Sequence, residues 1–276
     1  MKIEKKKIGY LGPAGSYAEQ ATILYNPDAE KIPYPSIPTV AKAVEKLEVS
    51  EGLVPIENSI EGSVTYTLDL LIHDSKLLIS DEVILPVHHN LLTSPGTKKS
   101  DIQLVYSHPQ AFAQCRKYLE SHLPGIELIA SLSTSAAVKR LSEEQNVAAI
   151  GNLRAAEIYN AEVIDSHIED NSNNVTRFVL LSENDSEATG KDKTSICFTF
   201  NDDSPGLLYK VMGFAAKEGI NLAKVESRPN KLELGRYFFL LDLEGHRTDQ
   251  HVAATLSAIN SEVSELKILG SYPQRI

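Results

Sequence analysis

The sequence is poor in cysteine, in positive charge and in long apolar runs, and each shortage excludes a class of function. Cys115 and Cys197 are the two cysteines, far apart in the chain. No Cys-x-x-Cys pair exists, which excludes a zinc knuckle and a dithiol redox motif and leaves reduced thiols as the expectation. Lys and Arg number 27 against 37 Asp and Glu, a formal net charge of -10 with a pI near 5.3. A nucleic-acid binder or a protein of anionic membranes needs a basic surface, so neither is expected. A small anionic substrate needs only a few local groups and stays open. No apolar run approaches the ~20 residues that span a bilayer. The charged start, Met1 to Lys7, has neither the apolar core nor the cleavage site of a secretion signal. The expectation is a cytoplasmic protein.

What is present is ordinary for a folded enzyme-sized chain. The 276 residues are 42% apolar and 23% charged, enough for one large or two ordinary domains. Lys7 to Leu11 reads as a strand that breaks at Gly12-Pro13-Ala14-Gly15 and enters a helix from Ser16 to Tyr25. Ser16 or Gly15 is the expected N-cap, with Glu19 as its capping-box partner. Such a turn offers free N–H groups and a dipole end to a carboxylate or phosphate. It lacks the Gly-Lys-Ser/Thr ending of a phosphate loop and is not Gly-x-Gly-x-x-Gly.

A helix capped by Thr39 is expected over Val40 to Leu47. The strand Gly52 to Pro55 leads into Glu57-Asn58-Ser59 and a helix over Val64 to Leu71. Glu57, Asn58 and Ser59 therefore sit where open α/β sheets place ligands, or serve only as turn residues. Leu77 to Leu92 is strongly β-prone but holds Pro86, which argues for a chain crossing between lobes. His88-His89 lie on that segment without a metal-ligand spacing and read as structural. A second α/β unit follows. Ser107-His108-Pro109-Gln110 starts a helix whose apolar face includes Cys115, read as a core residue. The polar loop Asp170 to Asn174 then enters the apolar strand Val175 to Leu181, setting Thr176 and Arg177 at the junction.

Residues 183–193 are polar and read as a flexible linker. Residues 194–276 read as strand, helix, two strands, helix, strand: the βαββαβ, ferredoxin-like plan. Ser204 is the expected cap of the first helix, with Pro205 at N1.

Four runs resemble the motifs of prephenate dehydratases, in the family's order. They are Gly12-Pro-Ala-Gly-Ser16, Pro55-Ile-Glu-Asn-Ser59 with Glu61-Gly62, Ser107-His-Pro-Gln110 with Gln114-Cys115, and Asn174-Val-Thr-Arg-Phe178. The final βαββαβ unit resembles an ACT regulatory domain. Its Pro205-Gly-Leu-Leu208 and Glu226-Ser-Arg-Pro229 resemble that domain's phenylalanine-binding motifs. The resemblance runs from Ile8 to about Ser271.

It implies an α/β fold of two lobes, like periplasmic binding proteins, followed by the ACT unit. The expected catalytic domain is 1–182, with one lobe from 1–80 and 160–182 and the other from 81–159; the linker is 183–193 and the ACT domain 194–276. The first strand starts within ten residues, so no preceding chorismate mutase domain is expected. The implied reaction turns prephenate into phenylpyruvate, water and carbon dioxide in phenylalanine biosynthesis, with no metal or organic cofactor.

By the resemblance, Thr176 is the essential hydroxyl beside the leaving group and Glu57, if buried, an acid of raised pKa. Asn58, Ser59, Ser107, Gln114 and Phe178 would bind or orient the substrate. Ala14, Gly15 and Ser16 would give N–H groups to a carboxylate. Arg177 would bind a carboxylate or pair with protein acids; strand alternation sets it opposite Thr176. Leu132-Ser133 stands where some relatives carry an acid, which puts the weight on Glu57 or on Thr176 alone. L-phenylalanine would act as allosteric inhibitor at Pro205, Gly206, Leu207, Leu208, Asn221, Glu226, Ser227 and Arg228. A homodimer or homotetramer is expected. An arogenate dehydratase and a non-catalytic two-lobed sensor are the competing readings.

Overall fold

A computed structural model describes residues 5–201, 204–231 and 235–275. Asp202 and Asp203 of the expected phenylalanine loop lie outside the described residues. The chain divides into two compact units, Met1–Val64 with Val83–Phe178 and Thr65–Glu82 with Val179–Ile276.

The first sheet begins with β1 (Lys7–Leu11), which buries Ile8 and Tyr10. α1 (Tyr17–Tyr25), β2 (Glu30–Tyr34), α2 (Ile37–Glu45), β3 (Glu51–Asn58) and the short β4 (Gly62–Ser63) follow. β1 pairs in parallel with both β2 and β3. Gly52 is required on β3, because a Cβ there would meet Val40 of α2 at 2.6 Å. α2 starts earlier than expected. Ser36, not Thr39, is the N-cap, and Thr39 closes a capping box at N3. The Ser and Thr three apart fit that box better than a cap at Thr39.

α3 (Thr65–Asp69) gives way to a π-helical turn, Leu70–Asp74, and then β5 (Leu78–Pro86). The second sheet comprises β6 (Asn90–Thr93), β7 (Leu104–Ser107), β8 (Glu127–Ala130), β9 (Val147–Gly151) and β10 (Glu162–Asp165), in the order β10-β6-β9-β7-β8. Its helices are α4 (Pro109–Gln114), α5 (Arg116–His122), α6 (Thr134–Lys139) and α7 (Leu153–Tyr159). Cys115 separates α4 from α5 and is fully buried among Leu91, Val105, Leu119 and Ile150. Burial pushes its thiol well up, so it is an inert core group.

β11 (Val175–Ser182) completes the first sheet, in the order β2-β1-β3-β11-β5 with β4 on β3. Two lobe limits differ from the sequence reading. β5 stays in the first sheet to Pro86, and β10 belongs to the second. The chain therefore changes sheets at 87–89 and again at 166–174. β-pairing decides membership, and local composition does not report the partner.

The second unit carries β12 (Asp192–Thr199), α8 (Leu207–Lys217), β13 (Leu222–Pro229), β14 (Tyr237–Glu244), α9 (Gln250–Asn260) and β15 (Glu265–Pro273). The sheet order is β13-β14-β12-β15, and all three pairings are antiparallel. Both helices bury apolar residues on it: Val211 and Ala215 of α8, Val252, Leu256 and Ile259 of α9. The N-cap of α8 is Gly206, at φ 92°, so Ser204 and Pro205 lie before the helix rather than as its cap and N1.

The stretch read as a flexible linker is held in place. Asp185 pairs with Arg247 at 2.8 Å and accepts from the Ser271 N–H. Asp192 and Lys193 are buried in β12, and Lys193 pairs with the fully buried Glu82 at 2.8 Å. Residues 65–82 thus belong to the core of this unit. The Nζ of Lys267 donates to the carbonyls of Leu71, Ile72 and Ser75, at 2.7, 3.3 and 2.7 Å, closing the π turn. Gly270 has to be glycine: at φ 140°, a Cβ would lie 2.2 Å from the Ile79 carbonyl oxygen.

Candidate active site

A cavity of about 650 Å³ opens within the first unit. Its size suits a small organic ligand. Leu11, Pro35, Pro55, Val64, Val87, Ala111 and Phe178 supply apolar walls. Polar groups come from helix starts and strand ends: Ser16 and Tyr17 of α1, His108 and Gln110 of α4, Ser133 and Thr134 of α6, and Asn58, His89, Gln114, Asn174 and Thr176. Neither Lys nor Arg is among its described lining residues. The partial positive charge of helix starts is the favourable field left for an anion.

One hydrogen-bonded chain crosses the cavity wall. The Tyr17 hydroxyl lies 2.9 Å from His89 Nδ1 and donates to the His88 carbonyl at 2.7 Å. His89 Nε2 is 2.8 Å from Gln114 Oε1, which also accepts from Asn174 Nδ2 at 3.0 Å. The Asn58 amide donates to Asn174 Oδ1 at 2.8 Å and to Thr176 Oγ1 at 2.9 Å. Asn58 Oδ1 in turn accepts the N–H groups of Ile60 and Glu61, which fixes the amide's orientation. Burial lowers the His89 pKa, against the raising effects of Gln114 and Glu169. Burial raises the Tyr17 pKa, helped by Cys115 and Glu169. At neutral pH this leaves a neutral imidazole and a protonated phenol.

The structure gathers some of the expected residues and separates others. Thr176, Asn58, Gln114, Ser16 and Phe178 line the cavity. Thr176 and Phe178 face it because they are two apart on β11, and Arg177 between them does not line it. Arg177 instead lies 3.6 Å from Glu57. Glu57 is 38% exposed and outside the lining, which corrects the expectation of a buried carboxyl acid. Ser59 braces the loop, donating to the Asn173 carbonyl and accepting from the Val175 N–H. Ser107 is fully buried outside the lining and donates to the Ile150 carbonyl at 2.9 Å.

The turn at Ala14-Gly15-Ser16 also differs. The Gly15 N–H donates to Glu19, and the Ser16 N–H to the Pro13 carbonyl, so neither is spare for a ligand. The Ala14 carbonyl accepts from Ser135. Glu19 is buried against Arg154, its Oε1 accepting from Nε and Nη2 at 3.1 and 3.0 Å. Its engagement with Arg154 leaves the Ser16 cap with half of the expected box.

Sequence reasoning missed His89, Tyr17, Asn174, Ser133 and Thr134 as lining groups. His89 carried a readable signal: a polar residue in an apolar segment needs a buried partner. Leu132 is 97% exposed yet borders the cavity, an apolar group at the rim.

In the second unit, several of the expected phenylalanine residues are engaged with protein groups. Arg228 pairs with Asp69 at 3.1 Å and lies 3.8 Å from Glu226. Asn221 donates to Glu244 at 2.9 Å. Leu208 packs against the core of this unit. Ser227 is exposed on β13.

Comparison with known proteins places the chain. Residues 8–186 match the family described as Prephenate dehydratase. The chain is 40% identical over 276 residues to a prephenate dehydratase of Methanocaldococcus jannaschii, covering 97% of this chain and 98% of that one. The solved structure of the Arthrobacter aurescens prephenate dehydratase in complex with L-Phe is similar at TM-score 0.90 and 36% identity, over 97% of this chain and 90% of that one. GqqA, described as a novel type of quorum quenching acylase, is similar at TM-score 0.88 and 27% identity, over 98% of both chains. The chain belongs to the prephenate dehydratase family of enzymes.

Proposed function

We propose that the protein converts prephenate to phenylpyruvate in the cavity of the first unit, with Thr176 at the reacting centre. The carrying observation is the Asn58–Thr176 hydrogen bond. Because Thr176 Oγ1 accepts from Asn58, its own proton is left to point at a ligand. In the reaction the bond to the ring carboxylate breaks and its electrons aromatise the ring. The ring hydroxyl departs and needs a proton or a strong hydrogen bond. Thr176 gives that hydrogen bond; Glu57 stands aside with Arg177. The apolar walls exclude water, which strengthens each polar contact at the leaving group. The substrate's carboxylates meet the hydroxyls of Ser133 and Thr134 at the start of α6.

The second unit is read as the ACT regulatory domain, responding to L-phenylalanine. Its βαββαβ order and the L-Phe complex of the Arthrobacter relative support this. Arg228 links β13 to Asp69 in α3, and α3 follows directly on the Glu57–Val64 segment. Asp69 thus ties β13 by an ion pair to the chain that leads back to the site loop. Val225 and Tyr237 expose apolar surface on β13 and β14, which suits sheet pairing into a dimer or a tetramer.

The deciding experiment assays purified full-length protein for phenylpyruvate with prephenate and with arogenate, and for acyl hydrolysis as the GqqA likeness suggests. Prephenate should be turned over fastest. No product from either cyclohexadienyl acid would overturn the reading. L-Phenylalanine inhibition should weaken in Arg228→Ala while turnover persists; unchanged inhibition in that variant would mean that it does not act at β13.

A further inference from the structure

The two segments where the chain changes sheets, 87–89 and 166–174, run side by side. The Ile168 N–H donates to the His89 carbonyl, and the His89 N–H to Glu169 Oε2, both at 2.9 Å. On the outer side of this pair, three side chains converge. His88 Nδ1 is 2.8 Å from Glu169 Oε1 and 3.0 Å from His167 Nδ1. His167 Nδ1 is 3.6 Å from the same Glu169 oxygen.

Hydrogen bonding does not satisfy that triangle well. Each ring nitrogen has one in-plane position, occupied by a proton or by a lone pair. His88 Nδ1 therefore cannot bond fully to both Glu169 and His167. Two imidazole nitrogens and a carboxylate oxygen at these separations match a metal's coordination face. Ligands about 2.0–2.1 Å from a tetrahedral zinc-class ion lie about 3.3 Å from each other. The observed edges, 2.8, 3.0 and 3.6 Å, bracket that value. A point at that bond length from all three atoms lies just off their plane.

We propose that His88, His167 and Glu169 bind a divalent transition-metal cation of the zinc class and thereby staple the two crossover segments together. The local structure is built for it in three ways. Glu169 is nearly buried and its second oxygen is taken by the His89 N–H, so Oε1 is fixed towards the histidines. His167 adopts φ 55°, a left-handed backbone uncommon outside glycine, and its ring lies edge-on to His88 with centroids 4.3 Å apart. The two histidine side chains are 40% and 62% exposed, which leaves an entry path and room for a water as fourth ligand. Two imidazoles with one carboxylate select zinc or cobalt over magnesium or calcium. The site is separate from the cavity, whose lining includes His89 but not His88.

The test uses the full chain without an affinity tag, stripped with a chelator and titrated with Co2+. The expected result is the visible absorption of a nitrogen- and oxygen-ligated cobalt saturating at one ion per chain, displaced by Zn2+. His167→Ala and His88→Ala, each first shown to be folded by circular dichroism, should weaken Co2+ binding at least about tenfold. His122→Ala, at an exposed histidine stacked on Tyr118, should bind as the unaltered protein does. Zn2+ should raise the Tm of the unaltered protein and not that of His167→Ala. The proposal is overturned if cobalt gives no such absorption at millimolar concentration, or if folded His167→Ala retains it at the same affinity.

Discussion

Single residues decide the chemistry. Thr176 accepts from Asn58 and faces the cavity, so its hydroxyl is the group to remove. Thr176→Ala should fold normally and lose about 10²–10⁴ in kcat, the usual range for one proton-relay or charge-stabilising group. Steady-state kinetics checks this, and a variant within about threefold of the parent would remove Thr176 from the mechanism. Gln114 works one step back, as the common acceptor for His89 and Asn174. Gln114→Leu leaves two buried donors unpaired, at about 1–3 kcal/mol each. Its Tm should fall, and KM for prephenate should rise as Asn58 and Thr176 lose their alignment. An unchanged Tm together with an unchanged KM would mean that the polar chain does not hold the site. Alternation along β11 made the facing of Thr176 and Phe178 legible in advance. The Glu57–Arg177 pair was not, because two residues 120 apart in the chain meet only once β3 and β11 are neighbours in the sheet.

Among elements, the stretch from Thr65 to Glu82 departs furthest from its sequence reading. It promised one regular helix, Val64 to Leu71. The structure has a five-residue α3 and a π turn whose last carbonyls are capped by Lys267. A helix end needs acceptors satisfied, and here the donor comes from β15, far along the chain. Lys267→Met keeps the apolar stem and removes the charged donor. It should cost roughly 1.5–3 kcal/mol, the range for a hydrogen bond to a charged group. Thermal unfolding measures that loss. A variant with the parent's Tm would mean that solvent replaces the cap.

For the molecule as a whole, acid should be the vulnerable direction. Burial pushes the Asp69 carboxyl up, but hydrogen bonds from Lys231 and Arg228 and their charges outweigh it and hold it below its ordinary value of 3.8. Burial likewise acts on Asp165, and its contacts with Lys99 and Tyr118 outweigh it in the same direction. A carboxyl depressed in the folded state stabilises fully above its unfolded value. That contribution is lost as pH falls from there through the folded value. Stability should therefore decline below about pH 4. Asp69→Asn should lower stability by about 1–3 kcal/mol at pH 7, and the difference from the parent should shrink as pH falls below about 4. Tm measured against pH for both proteins checks it; a gap that does not shrink with acid would mean that the pair is not what Asp69 contributes.

The sequence by itself determined the local and the periodic. It set the order of strands and helices, the βαββαβ run of the second unit, the core role of Cys115 and the inward face of β11. These follow from side-chain period, capping and burial preference, which act within a few residues. Four short motifs in order were enough to point to the family. Tertiary structure decided which distant polar groups meet. It turned Glu57 towards Arg177, gave the Gly15 N–H to Glu19, brought His89 and Tyr17 to the cavity and tied residues 65–82 to the second unit. It also set His88 against His167 and Glu169. A side chain's partner depends on strand order and register, and neither is written in the spacing of residues along one segment.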